Sequence, residues 1–353
     1  MKNEIEIKKN KVKKTYASRI DFLKEEKMYK LLAGSGLCPE YIDSCDGCLE
    51  HEYVEGEVFI ELLAKAEDNF ALLASYFEKF YDWYKKYREL TKLTLGQVRF
   101  EKFILSGDRL CNLEFENCKP GYMEEDIARL AVQMCMVPTA FAEAGIEMAR
   151  FFVCVGAQNI EWNPQILAQQ LPKAIMAECK TRDVLFDAKR AEYITTLLTS
   201  AGLVFAGGQT PLKECTDQLA FMPQRLISLP KTRSASSVNI TGFKNIQTSA
   251  NINSTLQRIV ESQKEVNQVW TLCLTTDMPR IPKPLWDELL CCDKEGKAAI
   301  IIEAGGKLRE FPVLLNTSMT KIELSSALEN GATSLTDELS KLSVKVIKLE
   351  DIR

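Results

Sequence analysis

Two short segments of the C-terminal half carry residue types that can do nucleotide chemistry. The first is Leu203-Val204-Phe205-Ala206-Gly207-Gly208-Gln209, an apolar strand pattern that ends in paired glycines. Residues without a Cβ let the main chain approach a phosphate or a base that a side chain would exclude. The second is Leu274-Thr275-Thr276-Asp277-Met278-Pro279, a carboxylate at the tip of another apolar strand, with a proline fixing the turn. One or two carboxylates together with substrate phosphates are the usual means of holding Mg²⁺. The alternative for Asp277 is a strand-end turn residue that caps the following helix.

Other chemistries are thinned out by composition. The 353 residues contain one histidine, His51, which removes the usual catalytic triads, His-rich metal centres and most imidazole acid–base schemes. Catalysis would have to rest on carboxylates, lysines, backbone amides or a bound ion. His51 lies in the alternating run Leu49–Val54 and is expected on an edge strand rather than in a catalytic role. The twelve cysteines are scattered, and no export signal is seen in the opening MKNEIEIKKNKVKK, so reduced thiols are expected. The one close pair, Cys45 and Cys48 around Asp46-Gly47, fits a turn, with metal or redox chemistry as the alternative. A net charge of -4, from 45 basic and 49 acidic residues, offers no general attraction to nucleic acid or an anionic membrane. No stretch approaches the roughly 18 apolar residues of a membrane span. The expectation is a soluble, cytoplasmic protein with neither a nucleic-acid nor a membrane partner.

The elements that must position these residues follow from periodicity. A chain of 353 residues suggests two domains at roughly 150 residues each. Residues 1–60 predict short strands around one helix near Phe22–Leu32, stopped by Gly34, Gly36 and Pro39. Residues 58–92 predict helix, with an aromatic stripe (Phe70, Phe77, Phe80, Tyr81, Tyr84) that belongs to a core. Ser106-Gly107-Asp108 marks a hairpin, helices dominate from Met123 to Thr199, and Asn163-Pro164 starts one of them. From about residue 200 apolar strands at Leu203–Ala206, Val269–Thr275, Ala298–Glu303 and Phe311–Leu315 alternate with helices, which predicts a parallel α/β sheet covered on both faces. The Ser/Thr/Asn-rich stretch 228–253 is expected to be a long surface loop. The boundary is placed between 198 and 199, giving domains 1–198 and 199–353.

Four landmarks of the second half, Phe205-Ala206-Gly207-Gly208, Thr276-Asp277-Met278-Pro279, Gly306-Lys307-Leu308-Arg309-Glu310-Phe311-Pro312 and Leu328-Glu329-Asn330-Gly331, occur in an order that resembles the molybdenum cofactor guanylyltransferases. These are nucleotidyltransferases of the Rossmann-like glycosyltransferase-A type. The resemblance implies that Asp277 holds Mg²⁺ against GTP and that Ala206, Gly207 and Gly208 cradle base and phosphates. It assigns Lys213 and Asp217 to the triphosphate. Mg²⁺-dependent transfer of GMP from GTP to molybdopterin, with release of pyrophosphate, is the activity implied. The family follows its glycine pair with an arginine and later has Asp-Lys. Here Leu212-Lys213 and Asp217-Gln218 stand in those places.

The first half resembles small phosphotransferases of the protein-kinase-like fold, an α+β domain with a helical C-lobe. The likeness rests on Val12-Lys13-Lys14, Phe22-Leu23-Lys24-Glu25, Gly36-Leu37-Cys38-Pro39, Glu52-Tyr53-Val54-Glu55-Gly56-Glu57, Asn112-Leu113-Glu114-Phe115-Glu116 and Glu124-Glu125-Asp126-Ile127. It implies a phosphate-contacting lysine at Lys13 or Lys14 with Glu25 as its helix partner. No glycine precedes Gly34, Gln97 stands where the catalytic Asp belongs, and Lys102 stands where the metal-binding Asn belongs. Only Glu114 remains as a metal carboxylate, so a pseudokinase is expected, with its helical tail as a surface for a protein partner. The reading from another class is a non-catalytic regulatory protein in which both halves keep nucleotide or partner recognition alone. A third reading is transfer of a different nucleotide to a different acceptor.

Overall fold

The computed structural model describes residues 3–137, 139–206, 213–230, 240–249, 255–276 and 278–352. Two compact units divide between Trp162 and Asn163. The 164–198 helices therefore group with the α/β part, whereas the sequence reading had set them in the first domain.

The first unit runs β1 (Glu4–Lys8), β2 (Lys11–Thr15), α1 (Arg19–Leu32), β3 (Tyr41–Cys45), β4 (Cys48–Glu52), β5 (Glu57–Val58), α2 (Phe59–Lys65), α3 (Phe70–Thr91), β6 (Leu93–Thr94), β7 (Phe103–Ser106), β8 (Arg109–Asn112), β9 (Lys119–Pro120), α4 (Met123–Cys135) and α5 (Glu143–Asn159). Its main sheet is antiparallel in the order β1-β2-β4-β3. Ser18 caps α1 by accepting from the Asp21 amide. The aromatic stripe of α3 is core: Phe77, Phe80, Tyr81 and Tyr84 are buried and Phe80 packs on Phe100, Phe103 and Phe152, while Phe70 stays half exposed. The Gly107-Asp108 turn joins β7 to β8, and Cys45 pairs with Cys48 in the β3–β4 hairpin with both thiols free.

His51 departs from the edge position expected. Strand β4 lies between β2 and β3, so the ring is buried, stacks on Tyr29 at 5.2 Å and donates from Nδ1 to the Glu52 carbonyl at 2.8 Å. Burial lowers its pKa, which favours the neutral ring. An alternating run shows that one face is buried but not how many neighbours the strand has.

The second unit continues with α6 (Pro164–Thr181), α7 (Ala188–Leu198), β10 (Ser200–Phe205), α8 (Lys213–Gln218), β11 (Gln224–Pro230), β12 (Lys244–Thr248), α9 (Thr255–Gln263), β13 (Trp270–Thr275), α10 (Lys283–Cys291), β14 (Ala299–Ala304), β15 (Lys307–Asn316), α11 (Thr317–Glu329), α12 (Leu335–Ser340) and β16 (Val344–Lys348). Asn163 caps α6, accepting from the Gln165 and Ile166 amides, with Pro164 at its first turn. The seven strands are ordered β12-β11-β10-β13-β15-β14-β16. Successive residues of β10 alternate between two cores: Leu203 and Phe205 join α9, α11 and α12, whereas Val204 joins the side of α8 and α10. Burial on both faces is why these strands are apolar throughout.

Two expectations are corrected. The sheet is mixed rather than wholly parallel, because β15 runs antiparallel to β13 and β14. Gly305 and Gly306, both at positive φ (60° and 71°), form a two-residue hairpin between β14 and β15. A turn that short can join only antiparallel neighbours. The stretch 228–253, expected to be loop, supplies the end of β11 and all of β12, its residues 231–239 and 250–253 lying outside the described ones. Its polar composition hid β12, an edge strand with one well-buried apolar residue, Ile246.

Candidate functional site

In the second unit the chain leaves β10, builds outward through β11 and β12, and returns to β13 on the opposite side of β10. The order therefore reverses between β10 and β13. Such a switch point opens a crevice beyond the carboxyl ends of the strands. Phe205 pairs with Thr275 in parallel register, so the two segments singled out in the sequence leave the sheet from adjacent strands, which lie about 4.8 Å apart.

The described residues around this edge are specific in what they do. Ala206 is fully buried and donates its amide to the Ser228 carbonyl at 3.0 Å. Lys213 and Asp217 are exposed, one helical turn apart on α8. Gln218 is held on a loop backbone: its side chain donates to the Ile281 carbonyl and accepts from the Ile281 amide, both at 3.0 Å. The Cys215 thiol, between them, donates to the Thr275 carbonyl at 3.6 Å. Gly207, Gly208 and Asp277 lie outside the described residues.

Sequence reasoning missed Arg258. It sits on α9, only 4% exposed, and its Nη2 donates to the carbonyls of Ala206 (3.1 Å), which follows β10, and Ser228 (2.6 Å), the β11 residue in register with Phe205 at the end of β10. Its guanidinium lies over the Phe205 ring at 5.2 Å, and Phe205 in turn packs on Phe311. No carboxylate among the described residues pairs with Arg258, and its buried Nε has no hydrogen-bond partner. Burial pulls its pKa down to about 10, which leaves it cationic at neutral pH. One arginine in an amphipathic helix gives no signal in sequence, since a basic residue there ordinarily faces water.

The first unit holds a second constellation. Lys14 Nζ contacts Glu25 Oε2 at 2.7 Å with both side chains buried, and the Tyr16 hydroxyl and Phe115 amide also donate to Glu25. Of the two lysines left open by the sequence, Lys14 is the one that meets Glu25, because neighbouring residues of a strand face opposite sides. Burial opposes the Lys14 ammonium, yet Glu25 and then Glu116, 3.4 Å away, more than offset this and raise its pKa. Burial raises the Glu25 pKa. Farther along, Lys102 and Glu114 form an ion pair at 2.6 Å, while Gln97 is exposed. The loop bearing Gln97 is braced from α4. Asp126 accepts from the Leu95 amide (2.7 Å), the Gly96 amide (3.1 Å) and the Tyr84 hydroxyl (2.7 Å), and Gln133 donates to the Val98 carbonyl. Gly96 has φ of 78°, and a Cβ there would stand 2.3 Å from the Asn117 carbonyl oxygen, so only glycine fits this loop unstrained.

Among the described residues no three His, Cys, Asp or Glu side chains converge as a metal cage, and no helix is long and apolar enough to cross a membrane. Neither a protein-family model nor a curated protein matches the chain. Solved structures do match over 43% of it: molybdopterin-guanine dinucleotide biosynthesis protein A of Archaeoglobus fulgidus, at 13% identity over 85% of that chain with a TM-score of 0.35. A protein of Aquifex aeolicus matches at 8% identity over 86% of its length with a TM-score of 0.34. A Mycobacterium tuberculosis protein in complex with manganese matches at 11% identity over 88% of its length with a TM-score of 0.31. At such values the fold assignment rests on the strand order itself.

Proposed function

We propose that the α/β unit is a nucleotidyltransferase that takes a nucleoside triphosphate in the crevice beyond β10 and β13. The observation that carries this reading is the parallel pairing of Phe205 with Thr275, which ends β10 and β13 beside each other at the switch point; in sequence, the glycine pair follows the first of these ends and Asp277 the second. Asp277 would be the protein's carboxylate for Mg²⁺. The remaining ligands would be phosphate oxygens and water, the common pattern for this ion. When bound, Mg²⁺ supplies charge neutralisation on the triphosphate and on departing pyrophosphate. The chain's own part is to hold the triphosphate in line. A phosphate oxygen of the acceptor attacks the α-phosphorus, the bond from that phosphorus to the bridging oxygen breaks, and pyrophosphate leaves. No protein nucleophile is needed, which suits a chain whose only histidine is buried in the other unit. Following the sequence resemblance, the nucleotide is GTP and the acceptor molybdopterin.

The first unit is read as a kinase-like scaffold without phosphotransfer and as the surface for a protein partner. What supports the loss of chemistry is the Lys102–Glu114 pair, an ammonium on the one carboxylate left for a metal, together with Gln97 in place of an acid. A lysine so placed repels a divalent ion.

Titration calorimetry with GTP, with and without Mg²⁺, on the wild type and Asp277→Ala tests the nucleotidyltransferase reading. The expected result is Mg²⁺-dependent binding that Asp277→Ala abolishes, followed by pyrophosphate release when molybdopterin is added. Absence of GTP binding in both proteins would leave the non-catalytic regulatory reading. Equal affinity for GTP and CTP would remove the guanine assignment.

A further inference from the structure

The segment after β10, Gly207-Gly208-Gln209-Thr210-Pro211-Leu212, contains no basic residue. The first lysine after it, Lys213, is exposed, and the Gln218 amide is committed to Ile281. A triphosphate bound at the switch point needs cationic donors, so the buried positive charge at this edge matters. That charge is Arg258. A guanidinium has five N–H donors. One nitrogen, Nη2, serves the carbonyls of Ala206 and Ser228. Nε is buried with no partner, and so is the hydroxyl of Ser228, which pairs with Phe205 from the neighbouring strand. A cation that is 4% exposed, without a paired carboxylate among the described residues and with an unsatisfied donor, is costly unless an anion completes it. Phe205 covers one face of the guanidinium and Ala206 and Ser228 fix its Nη2, so its orientation is set before any ligand arrives.

We propose that Arg258 is a phosphate-binding residue of the crevice, its unpartnered Nε–H taking a phosphoryl oxygen of the nucleoside triphosphate, with the Ser228 hydroxyl as a second donor. The assignment rests on the nucleotide reading of the same crevice and adds the cation that the 207–212 segment lacks. Arg258 also ties the Ala206 carbonyl, and thereby the residue from which the glycine pair departs, to α9.

The test uses the full-length protein and two probes. Sodium tripolyphosphate without Mg²⁺ has no base and asks nothing of Asp277, so it reports on Arg258. GTP with Mg²⁺ reports on Asp277. Arg258→Met, close in length but uncharged, is expected to weaken tripolyphosphate binding at least tenfold while circular dichroism and the melting temperature show a folded protein. Asp277→Ala, which removes a carboxylate and no cation, should bind tripolyphosphate at least as tightly as the wild type. A folded Arg258→Met that binds tripolyphosphate like the wild type overturns the proposal, as does a wild type that does not bind it. Should Arg258→Met not fold, arginine-labelled wild type decides by NMR. The Arg258 Nε–H resonance, assigned by its absence in Arg258→Lys, should move on adding tripolyphosphate and stay fixed in sodium chloride of equal ionic strength. A resonance that stays fixed in both overturns the proposal. Loss of Mg²⁺-dependent GTP binding in Asp277→Ala with tripolyphosphate binding unchanged in Arg258→Met removes the Arg258 assignment alone. Tripolyphosphate binding through Arg258 with no Mg²⁺-dependent GTP binding removes the nucleotidyltransferase reading alone.

Discussion

Buried cations are treated differently in the two units. Lys14 has Glu25 at 2.7 Å and Glu116 at 3.4 Å, and Glu25 is further satisfied by Tyr16 and the Phe115 amide. Arg258 has two carbonyls, an aromatic face and an unsatisfied Nε. The contrast is local rather than a habit of the second unit, since buried Lys294 there is paired with Glu192 at 3.1 Å and two carbonyls. A cation closed off by carboxylates is complete as structure, and its neighbourhood gains little from a further anion. A cation left with an unpartnered donor beside the parallel strands β10 and β11 is, on the proposal above, where a phosphate would both bind and stabilise the fold. The same logic separates Lys102–Glu114, where a chain cation sits on the carboxylate, from Asp277, whose segment contains no basic residue before Arg280.

The largest expected effect is on the completed pair. Lys14→Met strands a buried carboxylate, and removing one partner of such a pair costs roughly 3–5 kcal/mol. Urea unfolding should show this, with the double variant Lys14→Met/Glu25→Gln recovering much of it because no charge is left buried. Arg258→Met, which removes an unpaired charge, should cost clearly less in the same measurement without ligand. Equal losses would erase the distinction between the two sites.

A smaller effect of similar origin is set by pH at Asp126. Burial, against three hydrogen bonds, raises its pKa from 3.8 to about 6. The folded state thus holds a proton between those values that the unfolded chain has released. The stability from this group is fully present below about pH 4 and is lost as pH rises to about 6, a change of roughly 3 kcal/mol at about 1.4 kcal/mol per pH unit. Unfolding free energies of wild type and Asp126→Asn between pH 4 and 7 should diverge by that amount, the wild type losing ground as pH increases. Parallel curves would show that Asp126 carries no such linkage.

The smallest effect belongs to Lys102–Glu114, whose side chains are 40% and 32% exposed. Solvent screening at such exposure leaves a coupling of about 0.2–1 kcal/mol in a double-mutant cycle. Its consequence should be seen instead in metal binding. Lys102→Asn removes the ammonium from Glu114, and Mg²⁺-dependent ATP binding measured by calorimetry in that variant, absent in the wild type, would sharpen the view of this unit as one blocked by its own cation. If the wild type already binds ATP with Mg²⁺, the reading of an inactive scaffold fails.

Much of the fold was legible in periodicity. The apolar runs at 203–206, 269–275 and 298–303 became β10, β13 and β14 within a few residues, because strands buried on both faces must be apolar throughout. Asn163-Pro164 capped α6, since capping is local. Less legible were β12 and β16, edge strands that are largely solvated. The direction of β15 was available in Gly305-Gly306, a two-residue link between apolar strands, but was passed over in favour of the alternation of strands and helices. Of the candidate site, the sequence located the strand ends that flank the switch point. It gave no hint of Arg258; Lys213, which it expected at the triphosphate, is exposed on α8.

By itself, then, the sequence determined which residues could be strand or helix, where the chain had to turn, and that a single histidine leaves no usual catalytic triad. Those are properties of residue type and near-neighbour spacing. Only the tertiary structure decided that Lys14 and not Lys13 meets Glu25, that His51 stacks in a core, that β15 inserts antiparallel between β13 and β14, and that Arg258 is buried against the carbonyls of Ala206 and Ser228. Each depends on which strands become neighbours across long stretches of chain. Burial, and with it the worth of a charge, is a property of that arrangement and not of the residue.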